Sequence, residues 1–549
     1  MAICDKLSRF GTVLFQLTAK CSQLRFDSWR NGTLPIIRVL ACFLLKSSSV
    51  QVKTQLEDLQ NYLTDASNMQ GGAADKLFIP ETAEEIAQIL RDANENRIPV
   101  TISGARTGTV GGAIPFGGYV VSLEKLNKIK NIDKDEQIAV VEPGVILADL
   151  QKAVDAEGLF YPPDPTEWSC QIGGTVATNA SGARSFKYGA TREFTRRLSV
   201  VLTCGEIVNI LRGDFLSDEE GWLKITTQNG NKIETKVPTY ERPNVRKNVS
   251  GYFNKRPLDA IDLFIGSEGT LGVITEIELS LLPKPEGFFS GIVFFGSETE
   301  MLGFVDEART ASFASRKCGQ AARVPTIDAT LLEYFDGRAL KFISEKFPET
   351  PTDAVGAIFF EQETSAANED ALLEQWNDLL EKHNADLERS WFTTNEQDRE
   401  KMREFRHALP VTVNERIVKY KQRKVGTDMA VPDENFPTFL RFYKETLDAS
   451  GLDYVIFGHI GDCHLHANMM PKDAVEAETA RHIYGRCVAQ AIMLGGTVSA
   501  EHGIGKLKRK YLSAMMGERY LNEMAEIKRA FDPNGILGRG NMFDESYLV

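Results

Sequence analysis

The sequence predicts an α+β chain of two or three domains, with a mixed α/β region first and a differently patterned region after it. Three observations predict this. The chain has 549 residues, 42% hydrophobic and 25% charged, which is ordinary globular composition with apolar material for several cores. Between residues 82 and 156 short apolar strands alternate with helix patterns, which implies helices packed on a sheet. From about Phe288 the strands alternate instead with long charged helices.

Taken in order, residues 51–67 are helix-like, with Leu56, Leu59 and Leu63 at near-helical spacing. Thr82-Ala83-Glu84-Glu85 opens a second helix with a capping-box pattern, Thr followed three residues later by Glu. Residues 99–103 read as a short buried strand that runs directly into a glycine-rich loop, 104–112. Residues 138–141 form another strand, ended by Pro143-Gly144, and a helix follows over 147–156. Pro283-Lys284-Pro285 punctuates the chain and marks a domain boundary. Beyond it, 356–360 reads as a strand and 371–383 as a helix.

The net charge of −13 argues against a nucleic-acid partner, which favours a basic face. The eight cysteines show no CxxC pair and no disulfide framework, so a reducing compartment is expected. They also form no cluster that could hold an iron–sulfur centre, so any such centre sits on another protein. Residues 1–50 differ from the rest, with several basic residues, Cys4, Cys21 and Cys42, and only Asp5 and Asp27 as acids. Their apolar run, 34–45, is broken by Pro35 and Arg38 and falls short of the roughly 20 residues a bilayer span needs. This leader is either an organelle-targeting peptide, mitochondrial in that case, or an extension without a stable fold. Otherwise the expected location is the cytoplasm, free or peripheral at a membrane.

Three small-residue segments suggest a phosphate-containing cofactor. Glycine lets backbone N–H groups approach an anion without a Cβ in the way. Residues 104–112 are neither a G-x-G-x-x-G fingerprint nor a P-loop. Residues 172–182, preceded by Pro162-Pro163-Asp164-Pro165, are small at almost every position and offer Thr178, Asn179 and Ser181 as hydrogen-bonding side chains. Residues 265–275 repeat the pattern and end in a β-branched strand. Each alone reads as a turn; three together favour a bound nucleotide.

The chain has seven histidines, and four of them lie in two C-terminal segments, Gly458-His459-Ile460-Gly461-Asp462-Cys463-His464-Leu465-His466-Ala467-Asn468 and Ser499-Ala500-Glu501-His502-Gly503. Imidazole and carboxylate ligands suit a divalent metal such as zinc, and a further histidine beside them is a proton acceptor near neutral pH. On these residues alone, a metal-dependent hydrolase with merely structural glycine turns and a non-catalytic binding module remain open.

The order of these motifs resembles the flavin-linked oxidase family of vanillyl-alcohol-oxidase type. The two C-terminal pieces resemble its 2-hydroxy-acid dehydrogenase branch, which holds D-lactate dehydrogenases, the glycolate oxidase catalytic subunit and D-2-hydroxyglutarate dehydrogenases. The resemblance runs from about Leu77 to Met542. It implies a two-subdomain FAD-binding domain over 51–285 and an α/β cap domain over 286–505 that carries the metal site. Residues 506–549 would pack back on the FAD domain. FAD would be gripped at its pyrophosphate by Gly104, Arg106, Thr107, Gly108 and Thr109 and by Gly173, Gly174, Ala177, Thr178, Asn179, Ser181 and Gly182. Pro163 and Asp164 would join this grip, while Glu268, Gly272 and Ile274 line the ribityl and adenine side. The first histidine is His383, so FAD is expected to be non-covalent.

The same resemblance assigns His459, His466 and Glu501 as ligands of a divalent metal, zinc by preference, and His502 as the base that takes the substrate hydroxyl proton. Arg406, Lys421 and Asn468 would bind the carboxylate and hydroxyl of a 2-hydroxy acid, D-lactate first, with glycolate and D-2-hydroxyglutarate as alternatives. Thr427 to Pro432 resembles the strand after that region. The expected partners are an electron acceptor (a cytochrome, quinone or flavoprotein) and, in the glycolate-oxidase alternative, iron–sulfur subunits. His464 stands where the family usually has asparagine and Cys463 where it has glycine, which leaves open whether either joins the metal.

Overall fold

Short apolar strands with exposed ends need partners, and here they assemble into three principal sheets. The structure, a computed structural model, describes residues 50–318 and 326–548. The leader expected over residues 1–50 lies outside them but for Val50.

The first sheet contains β1 (Gln51–Lys53), β2 (Lys76–Ile79), β3 (Val100–Ser103) and β4 (Tyr119–Ser122) in the order β1-β2-β4-β3. β4 is parallel to both β2 and β3, and parallel neighbours need a crossover. Helix α1 (Ala83–Glu95) lies between β2 and β3 in the chain and buries Ile86, Ile89, Leu90 and Ala93, an i, i+3, i+4, i+7 face. Its start follows the predicted capping box: Thr82 Oγ1 accepts the Glu85 N–H at 3.2 Å, and the Glu85 carboxylate accepts from the Glu81 N–H at 2.7 Å. Residues 51–67 depart from expectation. They form β1, a single helical turn at Leu56–Leu59 and a tighter one at Gln60–Tyr62. Leu59 is buried but Leu56 is 65% exposed, so no continuous apolar face offsets the cost of helix nucleation, and the 51–53 backbone pairs with β2 instead.

The second sheet is antiparallel throughout. It contains β5 (Ile129–Asp133), β6 (Ile138–Val141), β7 (Thr195–Val201), β8 (Ile207–Leu211) and β9 (Val273–Ser280), ordered β5-β6-β9-β7-β8. Helix α2 (Leu147–Ala156) and the two-turn α3 (Ile172–Thr178) share its core through Leu150, Val154, Ile172 and Val176, packed with Leu198, Ile277 and Leu279.

The chain leaves this sheet after Ser280, passes Pro283-Lys284-Pro285 and enters the third sheet at Gly287. That sheet contains β10 (Gly287–Phe295), β11 (Ala329–Asp336), β12 (Gly356–Thr364), β13 (Trp391–Thr393), β14 (Val425–Gly426), β15 (Tyr454–His459) and β16 (His464–Met469), ordered β13-β10-β12-β11-β15-β16-β14. Alternate residues of one strand enter different cores, as the two-residue period requires. Val293 and Phe295 join Phe304 of α4 (Glu298–Cys318) and Trp376 of α5 (Glu369–Lys382), whereas Ile292 and Phe294 join Phe405, Leu409 and Val413 of α6 (Glu396–Tyr420). Both faces being covered explains the nearly unbroken apolar run of β10. Residues 427–432, expected as a strand, make two isolated bridges at Ala430, to His464 and Thr497. Scattered backbone bonds, such as the Thr427 N–H to the Ala467 carbonyl at 3.1 Å, and the buried Asp428 side chain hold that stretch instead.

Helices α7 (Phe436–Asp448) and α8 (Ala474–Met493) flank the β15–β16 hairpin in the chain. The C-terminal helix, α9 (Arg509–Phe531), is broken at Gly517, where φ is 73° and ψ 169°. The chain then returns to the first sheet, where the Val100 N–H donates to the Ile536 carbonyl at 2.8 Å and the Gly538 N–H to the Val100 carbonyl at 2.9 Å. Buried Lys528 ties this return together. Its ammonium reaches Asp532 at 2.5 Å, the Thr270 carbonyl at 2.7 Å and the Leu537 carbonyl at 2.8 Å. Among the described residues no helix is long and apolar enough to cross a membrane.

Lys528→Met would leave the Asp532 carboxylate buried without its cation. The expected loss is about 3 kcal/mol or more, read as a lower urea midpoint by circular dichroism, and an unchanged midpoint would contradict this role.

Candidate active site

The three small-residue segments converge, and their glycines divide into two kinds. Gly173, Gly182 and Gly272 allow close packing: a Cβ on them would stand 2.5 Å from Pro143 Cβ, 1.9 Å from the Asp164 carbonyl oxygen and 2.5 Å from Val200 Cγ1. Gly108 and Gly174 instead face open space, with nothing within 4 Å of where a Cβ would be. Gly104 lies between, its Cβ position 3.2 Å from the Gln171 amide oxygen, which is buried and has no hydrogen-bond partner. Arg106, Asn179 and Glu268 adopt left-handed φ of 61°, 48° and 54°. The Gly266 and Glu268 N–H groups donate to the Val176 and Ala177 carbonyls at 2.9 and 2.8 Å, docking the third segment on the end of α3. An open cradle of small residues, partly exposed at Thr107, Gly108, Thr109, Ala177 and Thr178, fits the pyrophosphate of a dinucleotide.

Other members of the expected cofactor set are engaged within the protein. The Glu268 carboxylate accepts the Ile504 and Gly505 N–H groups at 2.6 and 2.7 Å, clamping the loop after His502, and burial raises its pKa. Asn179 Oδ1 accepts the Arg192 N–H at 2.9 Å, and Thr178 Oγ1 donates to the Gly174 carbonyl at 2.9 Å. The Arg106 guanidinium bonds Ser103 Oγ and the Gly104 carbonyl. Asp164 accepts from Trp168 Nε1 at 2.9 Å, the Pro163 carbonyl accepts from Gln151 at 3.3 Å, and Ile274 is buried in β9.

The histidine cluster is made by the β15–β16 hairpin. Its register pairs His459 with His464 and Phe457 with His466, so the three imidazoles share one face. The 499–502 loop brings Glu501 to them. Glu501 Oε1 lies 3.3 Å from His459 Nε2 and 3.0 Å from His466 Nε2. The far nitrogen of each ring is occupied: His459 Nδ1 donates to Glu333 Oε1 at 2.5 Å, and His466 Nδ1 to the Thr427 carbonyl at 2.9 Å. A neutral imidazole so oriented turns a lone pair toward the carboxylate, and only protonation or a cation between them reconciles the pair. Ligand atoms of His459, His464, His466 and Glu501 all lie within 4.8 Å of one another, and a second such group joins Asp428, His466, Glu501 and His502. The donors, with carboxylate and carbonyl groups behind the rings, fit a divalent cation.

Several residues of this site carry no recognisable motif. Buried Lys247 donates to Glu501 Oε2 at 2.9 Å and to the Gly182 carbonyl at 3.0 Å, while Ser181 Oγ donates to the same carboxylate oxygen at 3.2 Å. The glycine-rich segment therefore touches the metal-ligand candidate directly. Burial opposes the Glu501 charge, but Lys247 and the histidines outweigh it and hold its pKa well below the usual carboxylate range. Asp428 is held down in the same way by His502 and Lys508. It accepts Lys508 Nζ at 2.5 Å, Ser499 Oγ at 2.6 Å and the N–H groups of Glu501 and His502 at 3.2 and 3.1 Å. Glu333 sits between His459 and Arg406, and despite burial these neighbours keep it at about 2.

His502 stacks on His466 at 5.0 Å between ring centroids with 12° between planes, and its side chain is 33% exposed against 11% or less for the other three. Surrounding atoms disfavour its charged form and push it down to about 4. Arg406 is buried, with Nε on Glu333 Oε2 at 3.1 Å and Nη1 on Thr166 Oγ1 at 2.7 Å. Asn468 is buried on β16 and its amide donates to the His466 carbonyl at 3.3 Å. Lys421 is the exposed left-handed cap of α6, φ 53°, and no contact among the described residues joins it to the cluster. Cys463 is buried at the hairpin turn, where burial drives its thiol pKa up and Arg309 and Asp433 are its charged neighbours; it belongs to neither ligand group.

Comparison with known proteins places the chain in a family. Residues 74–211 match the FAD binding domain, and residues 303–542 match the C-terminal domain of FAD linked oxidases. A D-lactate dehydrogenase of Anaerostipes hadrus is 30% identical over 498 residues, covering 88% of this chain and 92% of the relative. The glycolate oxidase subunit GlcD of Bacillus subtilis is 29% identical, covering 88% and 92%. Among solved structures, p-cresol methylhydroxylase superposes with a TM-score of 0.65 at 15% identity, covering 90% of this chain and 94% of that one, which establishes the two-subdomain FAD-binding fold of vanillyl-alcohol-oxidase type with its cap domain. The chain belongs to the FAD-linked oxidase family, and it is an FAD-linked oxidoreductase of the branch that holds D-lactate dehydrogenase and the GlcD subunit.

Proposed function

We propose that the protein oxidises a D-2-hydroxy acid, D-lactate first, to the 2-keto acid, an oxidation in which bound FAD would accept the hydride lost from C2. The observation that carries this reading is the contact between the two halves of the site. Ser181, on the glycine-rich cofactor segment, bonds the same Glu501 carboxylate that faces His459 and His466. When bound, FAD supplies the two-electron acceptor, and a divalent cation held by His459, His466 and Glu501 supplies Lewis acidity toward the substrate oxygens.

His502 is the base. It is the most exposed imidazole of the cluster and stays neutral at pH 7, able to take the hydroxyl proton. Its stacking on His466 and the Asp428 hold on its backbone N–H aim it at the space beside the metal ligands. Arg406 Nη1, shared with Thr166, is the cation for the substrate carboxylate, with Asn468 beside the cluster and Lys421 as a second, more distant cation. A dicarboxylate such as D-2-hydroxyglutarate is the alternative, favoured by the further guanidinium groups of Arg184 and Arg403, which line one small cavity with Arg406 and His407. The electron acceptor is a cytochrome, quinone, flavoprotein or iron–sulfur partner.

Anaerobic titration with D-lactate, D-2-hydroxyglutarate and glycolate, before and after chelation, tests the reading. One acid is expected to bleach the flavin, chelation to abolish bleaching and zinc to restore it. Bleaching that survives chelation removes the metal from the reading, and a protein that takes up no FAD refutes it entirely. The acid limb of kcat/KM should lie near pH 4, following the lowered His502, and an inflection at the ordinary imidazole value near 6.5 would show that the site does not lower that group. Gly174→Leu should fill the open cradle and remove bound FAD, seen as a lost 450 nm band, while the far-ultraviolet dichroism of the apoprotein is unchanged.

A further inference from the structure

We propose that His464 is a third imidazole ligand, so that four protein side chains (His459, His464, His466 and Glu501) hold the divalent cation. This inference rests on the metal site of the proposed function and adds a ligand to it.

Strand register places His464 directly opposite His459, with ring centroids 5.6 Å apart, and two residues before His466, with centroids 4.5 Å apart. Its side chain is fully buried, yet neither ring nitrogen has a hydrogen-bond partner. A buried imidazole with both nitrogens unsatisfied is costly, and at least one nitrogen calls for a partner that the side chains alone do not supply. Its two ends are not equivalent. Nε2 lies 3.1 Å from Asp428 Oδ1, out of line for a hydrogen bond, while Nδ1 faces Glu501 Oε2 at 4.0 Å. All three imidazoles thus have the same layout, with an outer nitrogen beside a carboxylate or carbonyl and an inner nitrogen directed at Glu501. For His459 and His466 that is the arrangement of metal-ligating histidines oriented from behind by an acceptor, and His464 repeats the placement without the rear hydrogen bond.

The alternative is a core histidine held by Asp428 alone. The Asp428 contacts crowd on Oδ2, which takes Lys508, Ser499 and the His502 N–H, while Oδ1 takes only the Glu501 N–H. What leaves the His464 ring unheld is therefore the out-of-line approach of Nε2 to Oδ1, not a shortage of acceptor sites. Three imidazoles and a carboxylate complete a tetrahedral shell, so the cation would be retained through purification, and substrate would enter as an added ligand.

The test uses the full-length flavoprotein, stripped of metal by dialysis against a chelator and reloaded with Zn2+. X-ray absorption at the zinc edge should count three imidazoles, a reading that needs no variant. His464→Asn and His464→Gln should bind Zn2+ at least about tenfold more weakly in competition with a chromophoric chelator, with flavin content unchanged. Two imidazoles at the edge, or undiminished Zn2+ affinity in both variants, would overturn the third ligand and leave the His459–His466–Glu501 site standing. A wild-type protein that takes up no Zn2+ would overturn both.

Discussion

Glu501 is a carboxylate buried among groups drawn from every part of the fold. Its Oε1 faces His459 and His466 from the third sheet; its Oε2 takes Lys247 and Ser181 from the first half of the chain. A buried charge left unpaired is strongly destabilising, so these contacts require that both halves fold before the site exists. The same demand recurs around it. Asp428 is matched by Lys508, Asp462 by Lys247, Glu333 by Arg406 and Glu361 by Arg399, each pair buried. Against that background the imidazole lone pairs aimed at Glu501 are the unmatched element, and they are where a cation belongs.

The parts of this arrangement that were legible in the sequence are those written as local patterns. His459, His466, Glu501 and His502 fall in two short segments, and the three small-residue segments stand out by composition. Lys247, Glu333, Asp428 and Lys508 do not. Each is one charged residue in unremarkable surroundings, and pairings across 71 or more positions give it a role. The glycines show a subtler limit. Gly174 faces open space while Gly173, its neighbour, avoids a clash with Pro143, and nothing in the Gly-Gly pair tells them apart. Residues 51–67 show the opposite limit: their leucine spacing is a local pattern, whereas the β2 edge that 51–53 pair with lies outside it.

Arg406 shows how a residue found by spacing acquires a meaning spacing could not convey. Its position fits a carboxylate-binding cation, yet most of its guanidinium is occupied by Glu333, whose other oxygen orients His459. The proposed substrate cation and a metal-ligand candidate therefore share one carboxylate, so loss of Glu333 charge would disturb both. The chain's net charge of −13 makes this local cationic lining more consequential, because an anionic substrate gains no help from the overall field.

The adjacency of Glu501 and His502 imposes the last constraint. Consecutive residues cannot move independently, and the Asp428 carboxylate accepts both of their backbone N–H groups while Lys508 neutralises it. The distance from the proposed base to the proposed metal ligand is thus set by backbone geometry and by one buried ion pair. The Glu268 carboxylate, holding the N–H groups of Ile504 and Gly505, fixes the far end of the same loop from the cofactor side. Cofactor segment, proposed base and proposed ligand are consequently positioned by the buried Asp428 and Glu268 carboxylates, and the precision of the site rests on those charges.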